Sequence, residues 1–254
     1  MAEGRQQGRG MIEVRGLHKA FGDHEVLTGI DLAIEEGTTC VILGGSGSGK
    51  TVLMKHMIGL LKPDRGSVEV DGEDIVPMGP RELERVRRKF GMVFQAAALF
   101  DSMNVYENVS FPLREHRKVG EEEARAIVRQ KLEIVGLRGV EHKFPSDLSG
   151  GMRKRVGLAR AIVLDPKIVL YDEPTTGLDP ITTDYVDEMI LGAKRQLGVT
   201  SVVISHDIAS AFKVADRIAF LSQGRIVEQG PPEQLRASEH PAVRVFLQTW
   251  FGKN

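Results

Sequence analysis

The chain has 254 residues, of which 41% are hydrophobic and 27% charged, with a formal net charge of -1. That length suits one large α/β domain or a core with a subdomain, and the near-neutral balance gives no overall field for nucleic acid. A single cysteine, Cys40, excludes an internal disulfide and fits a reducing compartment; within its apolar run it reads as a buried small hydrophobe.

Residues 1–10 are polar and glycine-rich, without the apolar stretch of a secretory signal, and are expected to be a flexible N-terminal segment. No run approaches the ~18 apolar residues that a membrane helix needs, so a membrane role is expected only through a partner. Residues 11–36 alternate apolar and polar, as in Ile12-Glu13-Val14 and Ile30-Asp31-Leu32-Ala33-Ile34, and predict antiparallel strands. Cys40-Val41-Ile42-Leu43 predicts a buried strand and Val52–Ile58 a helix. Between them stands Gly44-Gly45-Ser46-Gly47-Ser48-Gly49-Lys50-Thr51, a full G-x-x-x-x-G-K-[ST] phosphate loop in the strand–loop–helix context it requires. Its glycines let backbone N–H groups turn inward as a nest for phosphate oxygens. The helix N-terminus adds unpaired donors and a favourable dipole. Lys50 would reach the β- and γ-phosphates, and the Thr51 hydroxyl would ligate magnesium.

Further along, Val68-Glu69-Val70-Asp71-Gly72 predicts a strand entering a turn, and the basic run Arg81 to Lys89 reads as a solvated helix face. The apolar run Met92-Val93-Phe94 ends at Gln95. Residues 96–160 hold no convincing strand; Ala124, Ile127, Val128, Leu132 and Val135 recur at helical spacing, with Gly136 as the stop. Leu148-Ser149-Gly150-Gly151 reads as a turn into a helix over 153–161, with Arg153-Lys154-Arg155 as a solvated basic face. From residue 168 strands are predicted at 168–171, 201–205 and 217–221, the last turning back through Gln223-Gly224 as a hairpin. Ile168-Val169-Leu170-Tyr171 ends on Asp172-Glu173, at the strand end where open α/β sheets place their ligands. There Asp172 is a candidate magnesium ligand and Glu173 a candidate to polarise water. Asp179 before Pro180 makes a helix start, and His206 follows the predicted strand at 201–205.

In this order the elements resemble the ATP-binding cassette family over nearly the whole chain. The resemblance implies an α/β fold: a RecA-like phosphate-loop ATPase core with an antiparallel β-subdomain and an inserted helical subdomain. It implies a single domain over 11–254, with the core and β-subdomain in 11–95 and 161–230, the helical subdomain in 96–160 and a C-terminal helical extension in 231–254. ATP and Mg2+ are the implied ligands. Phe21 is placed to stack on adenine, Gly44 to Val52 to hold nucleotide, Gln95 to touch magnesium, and Ser149, Gly150, Gly151 and Met152 to cover a neighbouring subunit's phosphates. Met152 departs from the family's usual glutamine. Asp179 would communicate between subunits, and Glu173, His206 and Lys50 would be catalytic.

The stretch after Gln95, from Ala98 to Val105 and Asn108 to His116, looks like that of the ATPases of Mla/Mce-type lipid transporters. So do Val135-Gly136-Leu137-Arg138-Gly139 and Asp179-Pro180-Ile181-Thr182. This implies an ATP-sandwiched homodimer on the cytoplasmic face of a membrane, bound to integral-membrane permease subunits and, in the same complex, to a Mce-domain lipid-binding protein. The chain ends soon after Val245-Phe246-Leu247, so contacts made by the longer tail of some Mla subunits are not expected. Two readings stand beside it: an ABC ATPase serving a polar solute such as an amino acid, and a non-transport ABC protein, although this sequence has one cassette and no coiled-coil or zinc insertion.

Overall fold

The structure is a computed structural model, and it describes residues 10–251. Of the expected flexible segment 1–10 only Gly10 falls within the described residues, and it opens the first strand. The chain begins with β1 (Gly10–Phe21), β2 (His24–Glu35) and β3 (Thr39–Leu43), followed by α1 (Lys50–Met57), β4 (Arg65–Val70) and β5 (Glu73–Asp74). It continues through α2 (Pro80–Arg87), β6 (Phe90–Val93), α3 (Val105–His116), α4 (Glu121–Ile134), a short 3-10 turn (Pro145–Asp147) and α5 (Gly150–Ala161). The last part contains β7 (Ile168–Asp172), α6 (Pro180–Leu197), β8 (Thr200–Ser205), α7 (Ile208–Val214), β9 (Arg217–Ser222), β10 (Arg225–Gly230), α8 (Pro232–Arg236) and α9 (Pro241–Phe251).

Two sheets form. The antiparallel one has the order β2-β1-β4-β5, and the second has the order β10-β9-β3-β8-β7-β6. In the second, β6, β7, β8, β3 and β9 run parallel and β10 returns antiparallel on the edge, so the hairpin read at Gln223-Gly224 is present. Every residue of β3 and β8 is buried, which is why these segments read as continuous apolar or small-residue runs: a parallel strand is covered on both faces. Alternation along them assigns each side chain to one of two cores. Val41, Leu43, Val169, Tyr171 and Val203 face the core shared with α3, α4, α5 and α6. Cys40, Ile42, Ile168, Leu170, Val202 and Ile204 face the core shared with α1 and the antiparallel sheet. Cys40 is buried, and burial raises its thiol pKa to about 12.

The basic runs are more engaged than solvated faces. Arg87 donates to the Ile58 and Gly59 carbonyls, and Lys89 bridges Asp71 and Glu73. Arg153, Lys154 and Arg155 donate to the carbonyls of Leu148, Pro174 and Gly136 in turn. Long cationic side chains reach distant backbone oxygens in this way while their stems lie against the protein. The helix expected from Arg153 begins earlier, at Gly150. Ser149 is its N-cap, with the hydroxyl accepting from Met152 N at 3.3 Å, and the first helical N–H groups need no internal partner, so the glycines are tolerated there.

Candidate functional site

The segments singled out in the sequence leave the C-terminal ends of neighbouring parallel strands: the glycine loop after β3, Gln95 after β6, Asp172-Glu173 at the end of β7 and His206 after β8. Residues 45–52 together with Gln95, Glu173 and His206 line one cleft of about 870 Å³. Strand order explains the convergence: β3, β8 and β7 are adjacent, so loops far apart in sequence open side by side.

Gly47 and Gly49 have φ of 74° and 105°, and Gly49 caps α1. Only a residue without Cβ takes such angles at little cost, and such a backbone can line a nest of N–H groups for an anion. Gly44 is needed for a different reason, since a Cβ there would lie 2.3 Å from the Leu221 carbonyl oxygen. Among the described residues, the Ser48 Oγ is buried without a hydrogen-bond partner behind Gly44. Lys50 Nζ donates to the carbonyls of Gly44 at 2.8 Å and Gly45 at 3.0 Å, and stands 3.6 Å from Glu173 Oε1. Burial pulls the Lys50 pKa down, and the Glu173 carboxylate opposes that shift.

Glu173 has φ of 49°, a conformation that costs a non-glycine residue roughly 1–2 kcal/mol and persists where the surroundings over-determine it. Its N–H donates to Ile204 O at 2.9 Å. Its Oε2 accepts from Thr176 Oγ1 at 3.0 Å and from His206 Nδ1 at 2.7 Å. A carboxylate so oriented can accept a proton from a water molecule. Asp172, half-buried at the end of β7, stands outside the cleft lining. Burial and then the neighbouring Glu173 raise its carboxyl pKa, against Lys55 and Lys50.

Other expected residues fall elsewhere. Phe21 ends β1 with its ring 49% exposed and Lys19 Nζ 5.5 Å from its centroid. It does not line the cleft, although His24, its partner across the hairpin, does. Ser149, Gly150, Gly151 and Met152 are likewise absent from that lining, at the start of α5. Asp179 caps α6: Oδ1 accepts from the N–H groups of Ile181 and Thr182 at 3.0 Å each, and Oδ2 from Thr182 Oγ1 at 2.6 Å. Reading the sequence missed His24, Thr176 and Phe246 as cleft residues. Thr176 lies close enough to Glu173 to have been suspected. Phe246 comes from α9, and no local pattern connects it with the glycine loop.

A second groove of about 470 Å³ opens beside Gln95 and includes Phe94, Phe100 and Phe111. Phe100 and Phe111 pack with ring centroids 5.1 Å apart. The loop leading from Phe94 to Phe100 is strained at Ala97 and Ala98, with φ of 62° and 47°, and is clamped from two helices. Arg160 donates to Ala97 O at 2.9 Å, and the buried Asn108 amide accepts from Phe100 N and donates to Phe100 O, Met103 O and Asn104 O.

A family profile described as ABC transporter matches residues 27–176. The chain belongs to the ABC transporter family. This ABC ATPase is 49% identical over 93% of its length to the "probable ribonucleotide transport ATP-binding protein mkl" of Mycobacterium leprae, and it spans about two thirds of that relative, 68%. It is 41% identical to the "intermembrane phospholipid transport system ATP-binding protein MlaF" of Haemophilus influenzae, over 94% of this chain and 90% of that one. In structure it is similar to cbiO1 of Clostridium perfringens, part of an ABC transporter complex, with a TM-score of 0.84 at 30% identity over 96% of each chain. It is also similar to a dimeric ATP-binding cassette in a post-hydrolysis state with ADP and Pi, with a TM-score of 0.78 at 31% identity over 87% of this chain and 99% of that one. The enzyme is an ATP hydrolase of the ABC type. Among the described residues no helix is long and apolar enough to cross a membrane.

Proposed function

We propose that this ABC ATPase powers phospholipid movement through a separate integral-membrane permease of the Mla/Mce type, working as a head-to-tail homodimer that holds ATP between its two copies. The observation that carries the mechanism is the meeting of Lys50, Glu173 and His206 in one cleft above the glycine loop. ATP phosphates lie on the N–H groups of the loop and on the N-terminus of α1, with Lys50 released from the Gly44 and Gly45 carbonyls to the phosphate oxygens. Glu173 accepts the proton of the attacking water; His206 holds that carboxylate through Nδ1–H and, when its second ring nitrogen also carries a proton, donates from Nε2 toward the transferring phosphoryl.

Thr51, Gln95 and Asp172 fit a magnesium ion. A hydroxyl, an amide oxygen and a single carboxylate form the sparse oxygen set that Mg2+ accepts when phosphates complete its shell. When bound, the ion supplies positive charge to the β- and γ-phosphates. Phe21, on the hairpin next to His24, is assigned to the adenine. Ser149, Gly150, Gly151 and Met152 serve the nucleotide of the neighbouring subunit, which accords with their position outside their own chain's cleft. Asp179 stands at the boundary between subunits. Hydrolysis removes the shared ligand, the pair opens, and that opening drives the permease.

The aromatic groove of Phe94, Phe100 and Phe111 receives a helix of the permease on the cytoplasmic face of the membrane. Phospholipid as cargo is supported by the nearly full-length likeness to the intermembrane phospholipid transport protein; a Mce-domain lipid-binding protein in the same complex rests on the sequence resemblance alone. The likeness to the mycobacterial ribonucleotide transport protein favours a second cargo, a polar ribonucleotide. Purifying the chain with its permease and identifying what the permease holds decides between them. Phospholipid with a Mce-type protein supports the proposal, whereas a nucleotide-sized polar solute and no such partner overturns the lipid cargo and leaves the ATPase intact.

A further inference from the structure

Lys154 lies in the second turn of α5, the helix that Ser149 caps. Its side chain is half-buried, and Nζ donates to the carbonyl of Pro174, the residue directly after Glu173. Pro174 is itself buried, and a buried carbonyl needs a donor. Among the described residues no carboxylate pairs with this ammonium, and burial alone pulls its pKa down. The cation therefore gives up hydration for a single backbone oxygen. The turn it grips is closed from within: Thr176 N donates to Glu173 O at 3.3 Å, Leu178 N donates to Thr175 O at 3.2 Å, and Thr176 Oγ1 donates to Glu173 Oε2 at 3.0 Å. A shift of Pro174 is passed to the Glu173 carboxylate through these bonds.

We propose that Lys154 is a positioning residue: by fastening Pro174 to the Ser149-capped helix it fixes the Glu173 carboxylate and ties the segment Ser149 to Met152 to the chain's own catalytic turn. Its consequence between subunits rests on the shared-site reading above; the fastening itself joins two parts of one chain. Closure of Ser149 on the neighbour's nucleotide then moves α5, and Lys154 carries that movement to Glu173 of the same chain. A neutral side chain of similar length would fill the space and lose the link.

The test uses mixed dimers in which one chain keeps Glu173 and the other carries Glu173→Gln. Lys154→Met in the chain that keeps Glu173 should lower kcat by about tenfold to a hundredfold, the scale of a catalytic group displaced by about 1 Å. KM for ATP and the thermal midpoint should stay as they were. The same substitution in the Glu173→Gln chain should cost far less, and Lys154→Arg, which keeps a donor, should recover most of the turnover. An equal loss from either chain would make Lys154 a support of α5 and overturn the proposal; so would an unchanged kcat. Ser149→Arg, placed in each chain in turn, checks the shared-site reading separately: that reading fails if the substitution acts in the chain that keeps Glu173 and not in its neighbour. If the chain hydrolyses ATP without pairing, kcat against ATP affinity in Lys154→Met and Lys154→Arg alone decides for or against the fastening.

Discussion

Glu173 is the residue on which local strain and chemistry coincide. Its left-handed backbone aims a carboxylate that Thr176 and His206 then hold, and in the proposed mechanism that carboxylate serves the attacking water and not the phosphates. Glu173→Gln should therefore retain ATP and accumulate as a closed dimer while turnover falls by about 10²–10⁴-fold, the usual effect of removing a positioned general base. Near-normal phosphate release by the pure variant would take Glu173 out of the mechanism. Lys50 should behave oppositely, because in the proposed mechanism it leaves the Gly44 and Gly45 carbonyls for the nucleotide. Lys50→Ala should weaken ATP binding by the isolated subunit, as measured by titration calorimetry, through loss of charge-assisted bonds. These residues were legible because each closes a short pattern: a loop consensus, an apolar run ending on acids, a histidine after a strand. Lys154 was not. Its partner Pro174 is distant in sequence, and a basic triplet on a helix looks the same whether its cations face water or carbonyls.

Between elements, α6 and α7 are joined by a buried polar pair with its own pH dependence. Ser210 Oγ on α7 donates to Asp187 Oδ1 on α6, and both residues are buried. Burial raises the Asp187 pKa to about 6; Ser210 and Lys213 oppose the shift, and Asp207 and Asp184 add to it. The folded pKa therefore lies above the unfolded one, so stability is fully present below about pH 4 and is lost as pH rises toward about 6. The loss attributable to this group should be of order 1–2 kcal/mol after allowance for solvent screening. Urea denaturation of the wild type and Asp187→Asn at pH 4.5 and pH 7 isolates it, because other carboxylates titrate alike in both. The asparagine variant should gain on the wild type as pH rises, and an equal difference at both values would refute the assignment. The start of α6 was readable from Asp179-Pro180. The pair was not, since nothing in an α6 sequence reveals that one of its aspartates faces a serine on the next helix.

The proposed assembly starts from the segment Ser149 to Met152, which does not line its own chain's cleft. In the proposed two-fold pair each Ser149 meets the other copy's glycine loop, so Ser149→Arg should leave ATP binding by a single subunit largely intact and block closure, as seen by size-exclusion chromatography of the Glu173→Gln background with ATP. Equal loss of subunit ATP binding in Ser149→Arg and Lys50→Ala would argue against shared sites. Co-expressed with its permease, the chain should enter a membrane complex in two copies. Phe100→Asp should uncouple it: Phe100 is 42% exposed in the aromatic groove, whereas neighbouring Leu99 packs partly against the core. Pull-down of the permease by the folded variant reads the result, and undiminished capture would move the docking site elsewhere.

The sequence alone determined what depends on near neighbours. Backbone freedom at Gly47 and Gly49, the apolar runs of β3 and β7, the caps of α5 and α6 and the order of the motifs are local properties, and with the family resemblance they were enough for fold class and ATPase chemistry. Tertiary structure decided what depends on strand order and on side-chain reach. It set β3, β8 and β7 next to one another so that Lys50, His206 and Glu173 share a cleft, brought His24 and Phe246 to its rim, left Ser149 outside it, and aimed Lys154 at Pro174. Periodicity tells which face of an element is buried, but the partner that covers it is chosen by packing across the whole chain.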